Sequence, residues 1–152
     1  MVAQSADALG MKLIGYDPYI SIDAAWRLPK EVQKANSIEE LVGCSDFISI
    51  HVPLVDSTKD LISKDLLKHF KQGSKLINLS RGGIVNSNDV IEALQSKILS
   101  SFVTDFPSIE LSQRANDFGD VILLPHIGAS TSEAEVNCAV TVSYTHLTLP
   151  TT

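Results

Sequence analysis

Three side chains in this sequence have types and positions suited to acid–base chemistry on a small organic acid. Arg81, Glu110 and His126 each lie a few residues beyond an apolar run. Arginine offers two parallel donors that match a carboxylate, and histidine exchanges a proton near neutral pH. A glutamate beside that histidine can orient the ring and favour its charged form. Taken singly, each residue is equally compatible with an ordinary structural or solvent-exposed role.

The elements that must position these residues follow an alternating pattern. Short β-forming runs are separated by segments that begin with a capping side chain and continue with an apolar stripe, which predicts an α/β fold with a doubly wound parallel sheet of the Rossmann type. The predicted strands are 12–16, 47–52, 75–78, 102–105 and 121–124, and the predicted helices begin at Ser37, Ser63, Ser87 and Ser130. Ligands of such sheets bind beyond the carboxyl ends of the strands. The polar residues that follow these runs should therefore converge.

Five sequence blocks, in this order, make the chain similar to a known family. They are Gly15-Tyr-Asp-Pro18, His51-Val-Pro-Leu54 with Thr58, Ile77-Asn-Leu-Ser-Arg-Gly-Gly-Ile-Val85, Asp105-Phe-Pro107 and Pro125-His-Ile-Gly-Ala-Ser-Thr131. From about residue 6 to about residue 140 the chain resembles the D-isomer-specific 2-hydroxyacid dehydrogenases. The Asp-Pro-Tyr and Asp-Phe-Pro variants favour the branch of the family that acts on 3-phosphoglycerate.

The resemblance implies a reaction and a role for each member of the trio. The intact protein would transfer a hydride between NAD and the C2 carbon of a D-2-hydroxy acid, with 3-phosphoglycerate as the expected substrate. Arg81 would hold the substrate carboxylate, His126 would exchange the hydroxyl proton, and Glu110 would orient His126. Two alternatives stay open: another member of the family, such as a glyoxylate/hydroxypyruvate reductase or D-lactate dehydrogenase, and a non-catalytic NAD-sensing interaction module.

A larger set of residues is expected to line the cofactor. Asp17 carries the choice of cofactor, because a carboxylate at the end of the first predicted strand accepts hydrogen bonds from ribose hydroxyls and repels a 2′-phosphate. NAD is therefore expected rather than NADP. A turn-opening role for Asp17-Pro18 is the alternative. By resemblance, Asp105 would lie near the nicotinamide amide. The full expected set is Asp17, His51, Val52, Pro53, Thr58, Leu79, Ser80, Arg81, Asp105, His126, Gly128 and Ala129.

The sequence departs from the family pattern in three places. Residues 1–142 are expected to form a partial NAD-binding domain that lacks the first strand and the Gly-x-Gly-x-x-Gly turn, which would cradle the pyrophosphate. Residues 143–152 match neither a helical nor a strand period and are expected to be a non-native or disordered tail, with a divergent strand as the alternative. Between Glu110 and His126 the chain is shorter than the family pattern.

Composition excludes several other classes of function. The net charge is −6 and no cluster of Lys and Arg is present, so nucleic acid is not an expected partner. No apolar stretch approaches the roughly 18 residues of a membrane span, which predicts a cytoplasmic protein. Cys44 and Cys138 have no metal-binding neighbours, so we expect reduced packing residues and no metal site. The expected partner is a small 2-hydroxy or 2-keto acid, and the intact protein is expected to be a homo-oligomer.

Overall fold

The computed structural model describes residues 1–128, 130, 131, 134 and 136, and in this part of the chain helices alternate with parallel strands. The strands are β1 (Ile14–Gly15), β2 (Gln33–Lys34), β3 (Phe47–Ile50), β4 (Ser74–Asn78), β5 (Leu99–Thr104) and β6 (Val121–Leu123). The helices are α1 (Val2–Ala8), α2 (Ile22–Trp26), α3 (Ile38–Cys44), α4 (Lys64–Leu67), α5 (Ser87–Gln95) and α6 (Ile109–Phe118). The predicted α/β fold with a parallel sheet is confirmed.

The described strands form two parallel sheets, β1-β2 and β3-β4-β5-β6. A classic Rossmann sheet has the order 3-2-1-4-5-6, in which the first strand lies between the second and the fourth. If β1 and β2 are the second and third strands and β3 is the fourth, the break between the two sheets falls where the first strand belongs. No strand precedes α1 in the described residues. The predicted lack of a first strand thus accounts for the division of the sheet.

The register of the larger sheet aligns the carboxyl ends of its strands. Ile50 pairs with Asn78, Asn78 with Thr104, and Thr104 with Leu123. Because the strands are parallel, the loops that follow these four residues leave from the same edge. That edge is where the predicted site residues of the second half of the chain lie.

The hydrophobic core lies around this larger sheet. Its fully buried members include Leu76, Ile84, Val90, Leu99 and Phe102. Alternation explains the central strand β4, where Ser74, Leu76 and Asn78 are buried and the residues between them are half-buried. Among the described residues before 38, Ala35 is the one buried apolar residue, and it does not belong to this cluster. The packing that supports the site therefore comes from residue 38 onward.

Several local expectations need correction. Helix α5 is capped by Asn86, whose side chain accepts from the Asp89 N–H, and Ser87 lies in its first turn. Ser63 sits at the N-cap of α4 but makes no side-chain capping hydrogen bond, and the Lys64 N–H donates to the Asp89 carboxylate from α5. Cys44 is exposed and free rather than packed, while Cys138 lies outside the described residues.

The segments that follow Thr104 and His126 also differ from expectation. Helix α6 was not expected from the sequence, and it buries only Leu111 and Arg114. Near the end of the described part, the Ala134 N–H donates to the hydroxyl of Thr131 at 3.1 Å, so the capping residue lies one position after Ser130. Glu133, the other half of the predicted capping box, lies outside the described residues, as does the expected tail at 143–152.

Candidate active site

The loop that carries Arg81 is held by a buried asparagine at the end of β4. Asn78 is only 2% exposed, its Nδ2 donates to the Arg81 carbonyl oxygen at 3.0 Å, and its Oδ1 accepts from the backbone N–H and the hydroxyl of Ser80. The side chain of Arg81 is free of carboxylates in the described part of the chain, where its Nη1 donates only to the Ser80 carbonyl at 2.8 Å. Arg81 is exposed. Its charge is therefore available to an anionic ligand.

Two glycines turn the chain sharply after Arg81. Gly83 has a φ of +80°, which most side chains disfavour. At Gly82, an added Cβ would lie 3.3 Å from the Phe106 ring, so this position has little room for a side chain. The Arg-Gly-Gly sequence thus lets the loop after β4 approach Phe106, which follows β5.

His126 lies beside the loop that follows β5. Its Nδ1 is 2.7 Å from Oδ2 of Asp105, and its ring centroid is 4.8 Å from that of Phe106. The strand register explains this proximity, since the Leu124 N–H donates to the Thr104 carbonyl at 2.9 Å. Phe106 therefore contacts both the Arg81 loop and the His126 ring. In this way the structure brings Arg81, Asp105 and His126 to one edge of the sheet.

Glu110 is not brought to His126. It lies in the first turn of α6, where its own backbone N–H and the side chain of Ser108 lower the pKa of its carboxyl group, and it is exposed. Among the described residues the carboxylate paired with His126 is Asp105, so the expected Glu110–His126 pair is not formed here. The family resemblance assigned Glu110 to His126 and Asp105 to the cofactor. The strand register, which places Asp105 beside His126 here, could not be derived from the sequence.

The loop after β3 contributes the remaining predicted residues on this edge. His51 Nε2 lies 2.9 Å from the hydroxyl of Ser49, and Val52 packs against the core. The hydroxyl of Thr58 accepts from the Val55 N–H and donates to the Pro53 carbonyl at 2.6 Å. Thr58 therefore stabilises the conformation of this loop through these two hydrogen bonds.

The other predicted residues occupy separate positions. Asp17 lies two residues after β1 and is exposed, and its Oδ1 accepts from the Tyr19 N–H at 2.9 Å, as in a turn. Leu79 is half exposed, and Gly128 is exposed. Ala129 lies outside the described residues. The turn geometry of Asp17 is compatible with both interpretations made from the sequence.

One functional residue, Asn78, was missed by the sequence reasoning, whereas Asp105 was expected at the cofactor. Asn78 fixes the Arg81 loop. Its signal in the sequence is a polar residue at one of the alternate positions of β4 that are buried. The Oδ1 of Asp105 is buried and has no hydrogen-bond partner among the described residues. Such an oxygen costs free energy unless a donor reaches it.

The described residues also bear on two other kinds of site. No group of three or more His, Cys, Asp or Glu side chains there could hold a metal ion. No helix in the same residues has the length and apolar character needed to cross a membrane.

Comparison with known proteins adds the family. Residues 1–128 match the D-isomer specific 2-hydroxyacid dehydrogenase, NAD binding domain. The chain is 38% identical to D-3-phosphoglycerate dehydrogenase of Synechocystis over 93% of its own length and 26% of that protein. It is 39% identical to the enzyme of that name from Rattus norvegicus, over 90% of this chain and 26% of the relative. The chain thus spans about a quarter of the length of these relatives.

Solved structures of similar fold carry several different names. D-lactate dehydrogenase from Escherichia coli superposes with a TM-score of 0.78 at 27% identity, covering 91% of this chain and 44% of that one. D-mandelate dehydrogenase from Rhodotorula graminis superposes with a TM-score of 0.74 at 30% identity, covering 86% of this chain and 38% of that one. The resemblance inferred from the motifs and the expectation of NAD as cofactor are confirmed at the level of the family. The chain belongs to the D-isomer-specific 2-hydroxyacid dehydrogenase family and carries its NAD-binding domain.

Proposed function

We propose that this chain supplies the nucleotide-binding side of an NAD-dependent dehydrogenase that acts on a D-2-hydroxy acid. The observation that carries the proposal is the convergence of Arg81 and His126 at one sheet edge, with Phe106 in contact with the loop of one and the ring of the other. A guanidinium without a carboxylate partner among the described residues, at the same sheet edge as a half-exposed imidazole, suits a substrate that has a carboxylate and a neighbouring hydroxyl group.

The residues present fit part of an NAD site. The buried Oδ1 of Asp105 lacks a donor among the described residues, and the amide of a nicotinamide ring would supply one. Asp17 would accept from the adenosine ribose. The pyrophosphate has no matching seat in the sequence, because no Gly-x-Gly-x-x-Gly is present. When bound, NAD supplies the hydride acceptor and donor of the reaction.

Each residue of the chain has a separate task in the proposed reaction. Arg81 binds the substrate carboxylate through its guanidinium and stabilises negative charge that develops on the C2 oxygen. The imidazole of His126 takes the hydroxyl proton during oxidation and returns it during reduction. Phe106 limits the directions in which the imidazole can turn, because it lies against one side of the ring. Glu110 as a further catalytic residue stays a prediction for the intact enzyme.

The proposed substrate is 3-phosphoglycerate, which would be oxidised to 3-phosphohydroxypyruvate. This rests on the names of the curated relatives at 34–39% identity. D-Lactate is the competing substrate, supported by the E. coli structure at 27% identity. Glyoxylate or hydroxypyruvate as substrate, and a module that binds NAD without turnover, remain alternatives.

The test is an assay of NADH formation by the full-length gene product, since this chain spans only a quarter of its relatives. A kcat/KM for 3-phosphoglycerate at least tenfold above that for D-lactate supports the proposed substrate. A reversed order assigns the protein to the lactate branch, and the reverse reaction with glyoxylate and hydroxypyruvate tests the reductase alternative. NAD binding with no turnover of any of these acids would indicate the sensing module.

A further inference from the structure

Phe106 is a large aromatic residue that packs at the sheet edge rather than in the core. It lies two residues after the end of β5 and is half-buried. It belongs neither to the buried core cluster nor to the half-buried side chains that pack against that cluster. Its ring instead lies 4.8 Å, centroid to centroid, from the His126 imidazole and against the backbone of Gly82. The ring thus lies between two loops of the candidate site.

The backbone of Phe106 is held on both sides along the chain. Its N–H donates to the hydroxyl of Thr104 at 3.1 Å, and Thr104 is buried at the end of β5. Pro107 follows directly, and a proline restricts the residue before it to extended conformations. The ring therefore keeps a position that the sheet determines.

The two glycines after Arg81 are needed for different reasons. Gly83 has a positive φ, whereas Gly82 is not in that region, so its backbone conformation does not require glycine. A Cβ added at Gly82 would lie 3.3 Å from Cδ1 of Phe106. This is closer than the roughly 3.5–4.0 Å of a favourable carbon–carbon contact. The Phe106 ring therefore explains the glycine, and a methyl group there would displace either the Arg81 loop or the ring.

We propose that Phe106 is a positioning residue whose ring sets the separation between the Arg81 loop and the His126 imidazole, with Gly82 as the contact point on the loop. Phe106 acts on the substrate carboxylate through Arg81 and on the hydroxyl proton through His126. A 2-hydroxy acid carries these two groups on adjacent carbons, so the separation of the residues that bind them affects both binding and proton transfer. The kinetic part of this inference rests on the proposed function, whereas the steric contact can be measured without turnover.

The test is a double-mutant cycle in the full-length enzyme, with the hydroxy acid that the wild type oxidises best. Gly82→Ala should lower kcat/KM for that acid about tenfold or more, because the added methyl group meets the ring. Phe106→Ala removes the ring atoms, and the nearest atom to the added methyl group is then Cβ of residue 106, at 3.7 Å. In the Phe106→Ala background, Gly82→Ala should therefore cost less than threefold.

Phe106→Ala alone provides a second measurement. Because the ring lies outside the core, this variant should fold. Its kcat/KM for the hydroxy acid should fall about fivefold or more, while KM for NAD changes less than twofold. A loss of structure throughout the domain would instead affect both substrates.

Gly43→Ala is the matched control. A Cβ added there also lies 3.3 Å from its nearest neighbour, the carbonyl oxygen of His69, but Gly43 lies on α3 before β3 begins. The effect of Gly43→Ala should be the same with and without the Phe106 ring. Equal losses from Gly82→Ala in both backgrounds overturn the proposal. A Phe106→Ala enzyme with wild-type kcat and KM overturns it as well, as does a Gly82→Ala protein that fails to fold in both backgrounds.

Melting temperatures of the same four proteins test the contact without turnover. Gly82→Ala should lower the melting temperature in the wild type and lower it less in Phe106→Ala. An equal decrease in both backgrounds overturns the steric contact. A wild-type enzyme that turns over no hydroxy acid contradicts the proposed function instead, and the melting temperatures then decide the contact by themselves.

Discussion

Arg114 and Asp120 form a nearly buried ion pair that joins α6 to the start of β6. The Arg114 Nε donates to Oδ1 of Asp120 at 2.9 Å, and the two side chains are 7% and 15% exposed. The guanidinium also lies over the Phe118 ring, with 4.0 Å to its centroid. Because β6 leads directly to His126, this pair supports the strand from which the imidazole extends.

The first prediction concerns this pair and stability. Asp120→Asn should lower the free energy of unfolding by about 3 kcal/mol at pH 7, because it leaves the Arg114 charge sheltered from water without its partner. Urea denaturation measures the difference. Asp65→Asn is the matched control, since its pair with Lys68 is exposed and its loss should change stability little. Equal effects of the two substitutions on the free energy of unfolding would contradict a larger contribution from the Arg114–Asp120 pair.

The Arg114–Asp120 pair also predicts that the stability of the chain depends on pH. The hydrogen bond from Arg114 lowers the pKa of Asp120 below the ordinary aspartate value of about 4. Because the pKa is lower in the folded state, the ionised Asp120 stabilises the fold at pH values above the ordinary aspartate pKa. This contribution is lost as the pH falls through the folded-state pKa. The stability difference between wild type and Asp120→Asn should therefore narrow as the pH is taken below about 4. A stability difference that widens as the pH falls would show that the lowered pKa of Asp120 is not its cause.

The second prediction concerns the asparagine behind Arg81. Asn78→Ala should destabilise the chain by about 2 kcal/mol, since the Ser80 N–H and the Arg81 carbonyl lose their partner. In the full-length enzyme it should raise KM for the hydroxy acid more than it lowers kcat, because the Arg81 loop loses its support. Asn88→Ala, at an exposed position of α5, is the control. An unchanged KM in a folded Asn78→Ala enzyme would show that the loop keeps its shape without Asn78.

The third prediction concerns cofactor choice. In the full-length enzyme, Asp17→Ala should narrow the preference for NAD over NADP, because it removes the charge that would repel a 2′-phosphate. The ratio of the two kcat/KM values measures it. Asp23→Ala removes the same charge from α2 and should leave the ratio unchanged. A ratio unmoved by Asp17→Ala would assign this aspartate to the turn alone, as its bond to the Tyr19 N–H allows.

The sequence was sufficient for the parts of the fold that depend on local pattern. Strand β4 was predicted because it is a short β-forming run between helical segments, and α3 because Ser37 precedes an apolar stripe and caps the helix. Strand β2 was missed because it consists of two exposed polar residues. Helix α6 was missed because its segment is mostly polar and buries only two side chains.

The site was predictable in its residues but not in its pairing. The motifs identified Arg81 and His126, and the topology explains why both lie at the same edge of the sheet. The carboxylate that contacts His126 depends on how β5 and β6 align, which is a tertiary property of residues 21 apart in the sequence. Glu110 was expected in that role from the family pattern, whereas the alignment of the strands gives it to Asp105 in this structure.

The measurement that tests the account most directly is the kcat of His126→Asn in the full-length enzyme with NAD and 3-phosphoglycerate. The substitution removes the proton carrier at the sheet edge and should lower kcat about 100-fold or more. His69→Asn, at an exposed position after α4, should leave kcat within twofold of the wild type. A His126→Asn enzyme that folds, binds NAD and keeps a near wild-type kcat would contradict the assignment of His126 as the acid–base residue.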